Sequence, residues 1–151
     1  TINRYHAARG FGVKLTSPEP LVDEYIERGF TPTEGGVIVS IGYHYLIRAD
    51  GSVEKGRPDF IRGAHCSVQG MNFKSIGIAL TGNFDSFDNP DGAKGLLYPE
   101  KAQLSALKKL LLYLMDIYDI PKGNILRHRD VLGAATVCPG DRFPWPGYFL
   151  P

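Results

Sequence analysis

Val37-Ile38-Val39-Ser40-Ile41-Gly42-Tyr43-His44-Tyr45-Leu46-Ile47-Arg48, followed closely by Asp50-Gly51, is the stretch on which the fold turns. Its β-branched and aromatic content predicts a strand over 37–48. Successive strand side chains face opposite ways. Tyr43, Tyr45 and Ile47 therefore share one face, and His44, Leu46 and Arg48 the other. Asp50-Gly51 predicts a hairpin turn, because both residue types tolerate positive φ. Downstream, Ile76, Ile78 and Leu80 alternate with smaller residues, which predicts a second strand ending at Gly82. Upstream, Leu21, Val22, Tyr25 and Ile26 recur at helical spacing, with Gly29 as a stop. Pro99 opens the clearest helix, with Leu104, Leu107, Leu111, Leu114 and Tyr118 on one stripe. That helix should end near Asp119, ahead of Pro121 and Gly123. Short strands are predicted over Thr1–Tyr5, delivering His6, and over Ile125-Leu126, delivering His128. The order of elements predicts an α/β fold, a single domain over residues 1–151 with a central mixed β-sheet flanked by helices.

The bulk numbers narrow the function classes. A chain of 151 residues makes one domain with a real core. Its net charge of +1 gives no electrostatic case for nucleic acid or for an anionic membrane as partner. No apolar run approaches the length of a bilayer-spanning helix, and no charged-then-apolar leader opens the sequence. With only two cysteines, Cys66 and Cys138, a disulfide scaffold is not implied. A bond between them would consume a thiolate that a metal could use.

The chemistry-bearing residues concentrate near the C-terminal end. His128-Arg129-Asp130-Val131 stands ten residues ahead of Cys138, which is followed by Pro139-Gly140. Imidazole and thiolate are donors that zinc takes, and a catalytic zinc needs three protein ligands and one open position. His6 is a candidate third donor from the end of its predicted strand. His44 competes with it by residue type. His65 lies in a loop, Gly63-Ala64-His65-Cys66, where it is equally an ordinary surface histidine, and Cys66 is by default a small buried hydrophobe. His128-Arg129-Asp130 also matches the first letters of a kinase catalytic loop. That loop requires Asn five residues after the Asp, where this chain has Ala135. A cysteine nucleophile at Cys138 with His128 as base is a better rival. No helix N-terminus is evident there to lower the thiol's pKa.

Four blocks in register resemble the type-2 N-acetylmuramoyl-L-alanine amidases, a family that includes the small phage lysozymes of the T7 kind and the peptidoglycan recognition proteins. The first block is Ile41–Ile47 with Asp50-Gly51 and Gly56-Arg57. The second is Gly63-Ala64-His65, Asn72 and Ser75–Phe84. The third is Pro99–Gln103 with the Leu-rich run, and the fourth is His128–Val131 with Cys138-Pro139-Gly140. The approach to His6, Ile2-Asn3-Arg4-Tyr5, is less apolar than the family's usual strand, and the link Pro32–Gly36 is longer than usual.

The resemblance implies one zinc per chain, held by His6, His128 and Cys138, with Tyr43 as the catalytic tyrosine. Thr136 stands where members of the family carry Lys or Thr. It puts His65 and Asn72 in the stretch lining the substrate groove, and turns His44 into the packing. The implied activity is zinc-activated hydrolysis of the amide between N-acetylmuramic acid and L-alanine, as in a phage endolysin. Such an enzyme is made in the host cytoplasm and released to the cell wall, whereas another member would be secreted. The expected partner is bacterial peptidoglycan, without nucleic acid or membrane, and the expected state is a monomer. Two alternatives stay open: a non-catalytic peptidoglycan-binding domain, and an amidase that also regulates a phage RNA polymerase.

Overall fold

The computed structural model describes residues 2–145, Gly147 and Leu150. Among these residues six short strands and four α-helices, the third a single turn, α3 (Met71–Lys74), form a mixed α/β fold, with the strands in two three-stranded sheets rather than one central sheet. The first sheet is antiparallel. Strand β3 (Gly36–Val39) lies between β1 (Val13–Leu15) and β2 (Thr31–Thr33), with Leu15 opposite Val37 and Thr33 opposite Gly36. The long link before β3 thus closes as a hairpin of its own, turning at Gly35 with φ +67°. Pro32 lies on an edge strand, where its missing N–H is tolerated. Helix α1 (Ile2–Ala7) precedes this sheet, and α2 (Glu19–Glu27) packs on it through Val22 and Tyr25. Gly29 ends α2 as expected, with φ +83°.

The second sheet is mixed. Strand β4 (Tyr45–Ile47) pairs antiparallel with β5 (Val53–Lys55) across the Asp50-Gly51 turn, and parallel with β6 (Ile78–Leu80). The longest helix, α4 (Lys101–Ile117), lies on it and buries Leu107, Leu111 and Leu114 in a core with Ile47, Phe84 and Phe143. Its start is set by a capping box, in which Gln103 Oε1 accepts the Glu100 N–H at 3.0 Å. The same buried amide donates to Thr81 O at 3.0 Å and to Ile47 O at 3.3 Å, so it also satisfies the ends of β4 and β6.

Three local expectations are corrected. Thr1 lies outside the described residues, and the strand predicted for residues 1–5 is helix from Ile2 onward. The strand predicted over 37–48 breaks between β3 and β4. The amides it would need for a ladder are taken elsewhere: Asn3 Oδ1 accepts the N–H groups of Ser40 (3.2 Å) and Ile41 (3.0 Å), and His6 Nδ1 accepts that of Gly42 (2.9 Å). Ile125-Leu126 is no buried strand either. It links two 3-10 turns, Lys122–Asn124 and His128–Asp130, and Leu126 is 46% exposed. Among the described residues no helix is long and apolar enough to cross a membrane.

Candidate active site

The break after β3 builds one wall of the site. Gly42 is needed there because a side chain would strike the Ala64 backbone: a Cβ would lie 2.4 Å from Ala64 O. The Ala64 N–H bonds Gly42 O at 2.9 Å, which brings the loop carrying His65 against the segment carrying Tyr43. The rings of Tyr43 and His65 stack with centroids 6.1 Å apart, and the His6 ring centroid lies 6.0 Å from that of Tyr43.

His44 points into the packing, as the resemblance implies. It is 1% exposed, its Nδ1 accepts the Gly77 N–H at 3.0 Å, and its Nε2 then carries the proton donated to Ile61 O at 2.9 Å. His44→Phe should therefore act on stability, by about 1–3 kcal/mol for the groups left unpaired, with turnover per folded molecule little changed. Melting temperature and specific activity measured together check this.

The opposite wall is the C-terminal segment. His128 opens a 3-10 turn clamped by Arg127 and Asp130, whose side chains pair at 2.8 and 3.0 Å. Asp130 is thus a structural clamp. The Arg129 N–H bonds Cys138 O at 2.9 Å, so the histidine and cysteine segments run side by side. Thr136 Oγ1 accepts the Cys138 N–H at 3.1 Å, which fixes the turn at the thiol and leaves the Thr136 hydroxyl proton free to donate elsewhere. Gln69, at φ +50°, reaches across to Leu132 O at 2.7 Å and ties the two walls together. Cys66 and Cys138 are both free thiols.

Electrostatics agree with this gathering. Burial raises the Tyr43 phenol above its usual pKa, and Cys138 adds to the rise, so Tyr43 is a neutral donor at pH 7. Desolvation also pushes the Cys138 thiol up. His65 is held down to about 4 by burial first, then by His44, with His128 adding to the effect. Its Nε2 is buried without a hydrogen-bond partner and wedged between Gly63 and Gly77.

The chain has four histidines, and burial lowers all four. Their folded pKa values lie below the unfolded value near 6.5, so the unfolded chain binds more protons as pH falls. Stability should be full above about pH 6.5 and decline from there to about pH 4, with His65 the largest single contributor, at most about 3 kcal/mol. Urea midpoints at pH 7 and pH 4.5, compared with a His65→Asn variant, measure this. A decline undiminished in the variant would assign it to the other three.

Tyr43, His65, Thr136, His128 and Cys138 thus belong to one neighbourhood. Asn72 supports it from behind: its Oδ1 accepts the N–H groups of His65 (2.8 Å) and Cys66 (2.9 Å). The metal donor set is less complete. Among the described residues no group of three or more His, Cys, Asp or Glu side chains is arranged to hold a metal ion. His6 sits in α1, 7% exposed, with Nδ1 engaged by Gly42. Sequence reading also missed Arg57. This residue is 1% exposed and donates from Nε to Ile41 O at 2.6 Å, from Nη1 to Arg62 O at 2.6 Å and from Nη2 to Phe11 O. The only signal was its place in Gly56-Arg57.

The sequence profile of the N-acetylmuramoyl-L-alanine amidase family matches residues 16–141. The chain belongs to that family. It is 40% identical over 101 residues to the endolysin of Enterobacteria phage K11, an alignment covering 67% of this chain and 60% of that protein. To peptidoglycan-recognition protein SD of Drosophila melanogaster it is 35% identical over 114 residues, covering 72% and 54%. The chain therefore spans about 60% of the length of the phage relatives it matches. Among solved structures, the endolysin amidase LysCS of Clostridium intestinale URNW superposes with a TM-score of 0.55 at 34% identity, covering 85% of this chain and 68% of that one. The Drosophila recognition protein SD structure gives 0.54 at 28%, covering 86% and 73%. These relatives agree with the mixed α/β fold and with the family resemblance.

Proposed function

We propose that this amidase-family chain hydrolyses bacterial peptidoglycan, cutting the amide between the lactyl group of N-acetylmuramic acid and L-alanine. The observation that carries this reading is a desolvated, neutral Tyr43 stacked on His65, with Cys138 adding to the rise of the phenol's pKa and His128 to the fall of the imidazole's. A phenol kept protonated at neutral pH is a preorganised donor for the oxyanion that forms when water attacks an amide. Thr136 adds a second hydroxyl donor, weaker than a lysine because it carries no charge. His65 lines the groove wall behind Tyr43, and Asn72 holds that wall in shape.

One zinc per chain belongs to this reading, with His6, His128 and Cys138 as its nitrogen and sulfur donors. Three protein ligands and one open position are what a catalytic zinc takes. Among the described residues these side chains are not drawn together into a metal-holding group. If Cys138 is a ligand rather than a nucleophile, Cys138→Ser should lose metal and activity together. A variant that kept its metal and lost only turnover would favour a cysteine hydrolase.

The decisive experiment is product analysis. Digested peptidoglycan should gain free L-alanine amino termini and no new reducing sugar ends, since nothing in the site resembles the carboxylate pair of a glycosidase. The opposite pattern would sink the amidase reading. The similarity to the Drosophila recognition proteins supports a second reading, peptidoglycan binding without cleavage. Binding to insoluble peptidoglycan with no product of either kind would establish it. With the phage endolysins as relatives, the proposed place of action is the cell wall after release from the cytoplasm that made the protein.

A further inference from the structure

A cavity of about 210 Å³ opens beside the wall that carries His65, and Phe11, Arg57, Arg62, Ala64, Asn72 and Phe73 are among the residues lining it. Two of these also build the wall. Ala64 N–H holds Gly42 O, and Asn72 Oδ1 accepts the amides of His65 and Cys66. The Asn72 carbonyl accepts the Gly63 N–H at 2.7 Å, so the segment after Arg62 is laid along α3.

The charge of the cavity is one-sided. Both ionisable residues that line it are arginines, and among the described residues no carboxylate does. Arg57 spends three donors on the carbonyls of Phe11, Ile41 and Arg62 and stands as a fixed charge. Arg62 is placed differently. Its side chain is exposed, and among the described residues its guanidinium makes no hydrogen bond or ion pair. It stands 5.7 Å from the Phe73 ring, which is itself 74% exposed. That flat face limits the directions the planar fork can take. Burial, and then the Arg62 charge, lower the Arg57 pKa, so the two cations feel each other. An anion between them would relieve that repulsion. A guanidinium with five N–H donors and no partner matches a carboxylate bidentately.

We propose that this cavity is a carboxylate subsite, in which Arg62, backed by Phe73, seats an acidic group of the peptide beyond L-alanine. The identity of that peptide rests on the amidase reading, and the subsite adds which part of it the wall beside Tyr43 recognises.

The test uses the full 151-residue chain and two probes, L-alanyl-D-glutamic acid and its diamide. Neither contains the amide to be cut, so amide NMR titration reads binding without turnover. At low salt, where an exposed guanidinium is least screened, the acid should shift the Gly63, Ala64 and Phe73 amides. It should bind about tenfold tighter than the diamide. Arg62→Gln should bind the two alike, Arg62→Glu should prefer the diamide, and Arg62→Lys should keep only part of the preference. Melting temperatures should stay near wild type, because the side chain is exposed and bonds nothing in the fold. With N-acetylmuramoyl-L-alanyl-D-glutamic acid as substrate, Arg62→Gln should raise KM about tenfold and leave kcat little changed.

Wild-type protein that binds acid and diamide equally, or binds neither, would overturn the proposal. So would an undiminished preference for the acid in Arg62→Gln, or shifts confined to residues away from the cavity. An Arg62-dependent preference for the acid in a protein that cleaves no muramoyl peptide would defeat the amidase reading alone.

Discussion

Tyr43→Phe is expected to lower the rate of amide cleavage about 10²–10³-fold, the usual effect of removing one preorganised oxyanion donor. The change removes a single oxygen from a half-buried ring. The stack on His65, with centroids 6.1 Å apart, and the neighbouring His6 ring keep their partner, so the fold should hold. The phenol is the group to remove because burial and the nearby Cys138 raise its pKa, so it stays a donor across the neutral range. Release of L-alanine amino termini under saturating peptidoglycan, with melting temperature as control, measures the effect. Full activity in a folded Tyr43→Phe protein would remove this residue from the mechanism.

Arg57→Met should have the largest effect on stability. The guanidinium is 1% exposed and joins three segments of chain by donating to the carbonyls of Phe11, Ile41 and Arg62. Burial, with Arg62 adding to it, pulls its pKa down to about 10, still well above neutrality. Each buried carbonyl left without a donor costs roughly 1–3 kcal/mol, and removing a buried charge returns part of that, for a net loss of about 2–5 kcal/mol. Set against a total of about 5–15 kcal/mol, this is a large fraction of the folded state's margin. Arg57→Lys should not rescue it, because one ammonium on a flexible stem cannot span three fixed carbonyls. Denaturant midpoints of the two variants decide the matter. A Lys variant as stable as wild type would mean that charge, rather than the forked geometry, is what the site needs.

Elements governed by local periodicity were legible in the sequence. The leucine stripe of α4, the hairpin at Asp50-Gly51 and the stop of α2 at Gly29 stand where spacing and turn chemistry put them. Each depends on residues a few positions apart, so propensity and pattern suffice to specify it. The family was also legible, because Tyr43, His65, Thr136, His128 and Cys138 are residue types that carry chemistry, in blocks that match it. What only the tertiary structure decided is how distant groups compete for the same backbone. Residues 40–42 have a strand's composition, yet Asn3 and His6 take their amides and end β3 early. By sequence His6 is a donor like any other histidine. Its lone pair is committed only because α1 meets Gly42 across 36 residues of chain. Arg57 looked like one basic residue among many, and its three carbonyl partners lie 5, 16 and 46 residues away. Spacing along the chain specifies local geometry, while the lone pair or N–H a side chain has left for chemistry depends on which segments the fold packs against it.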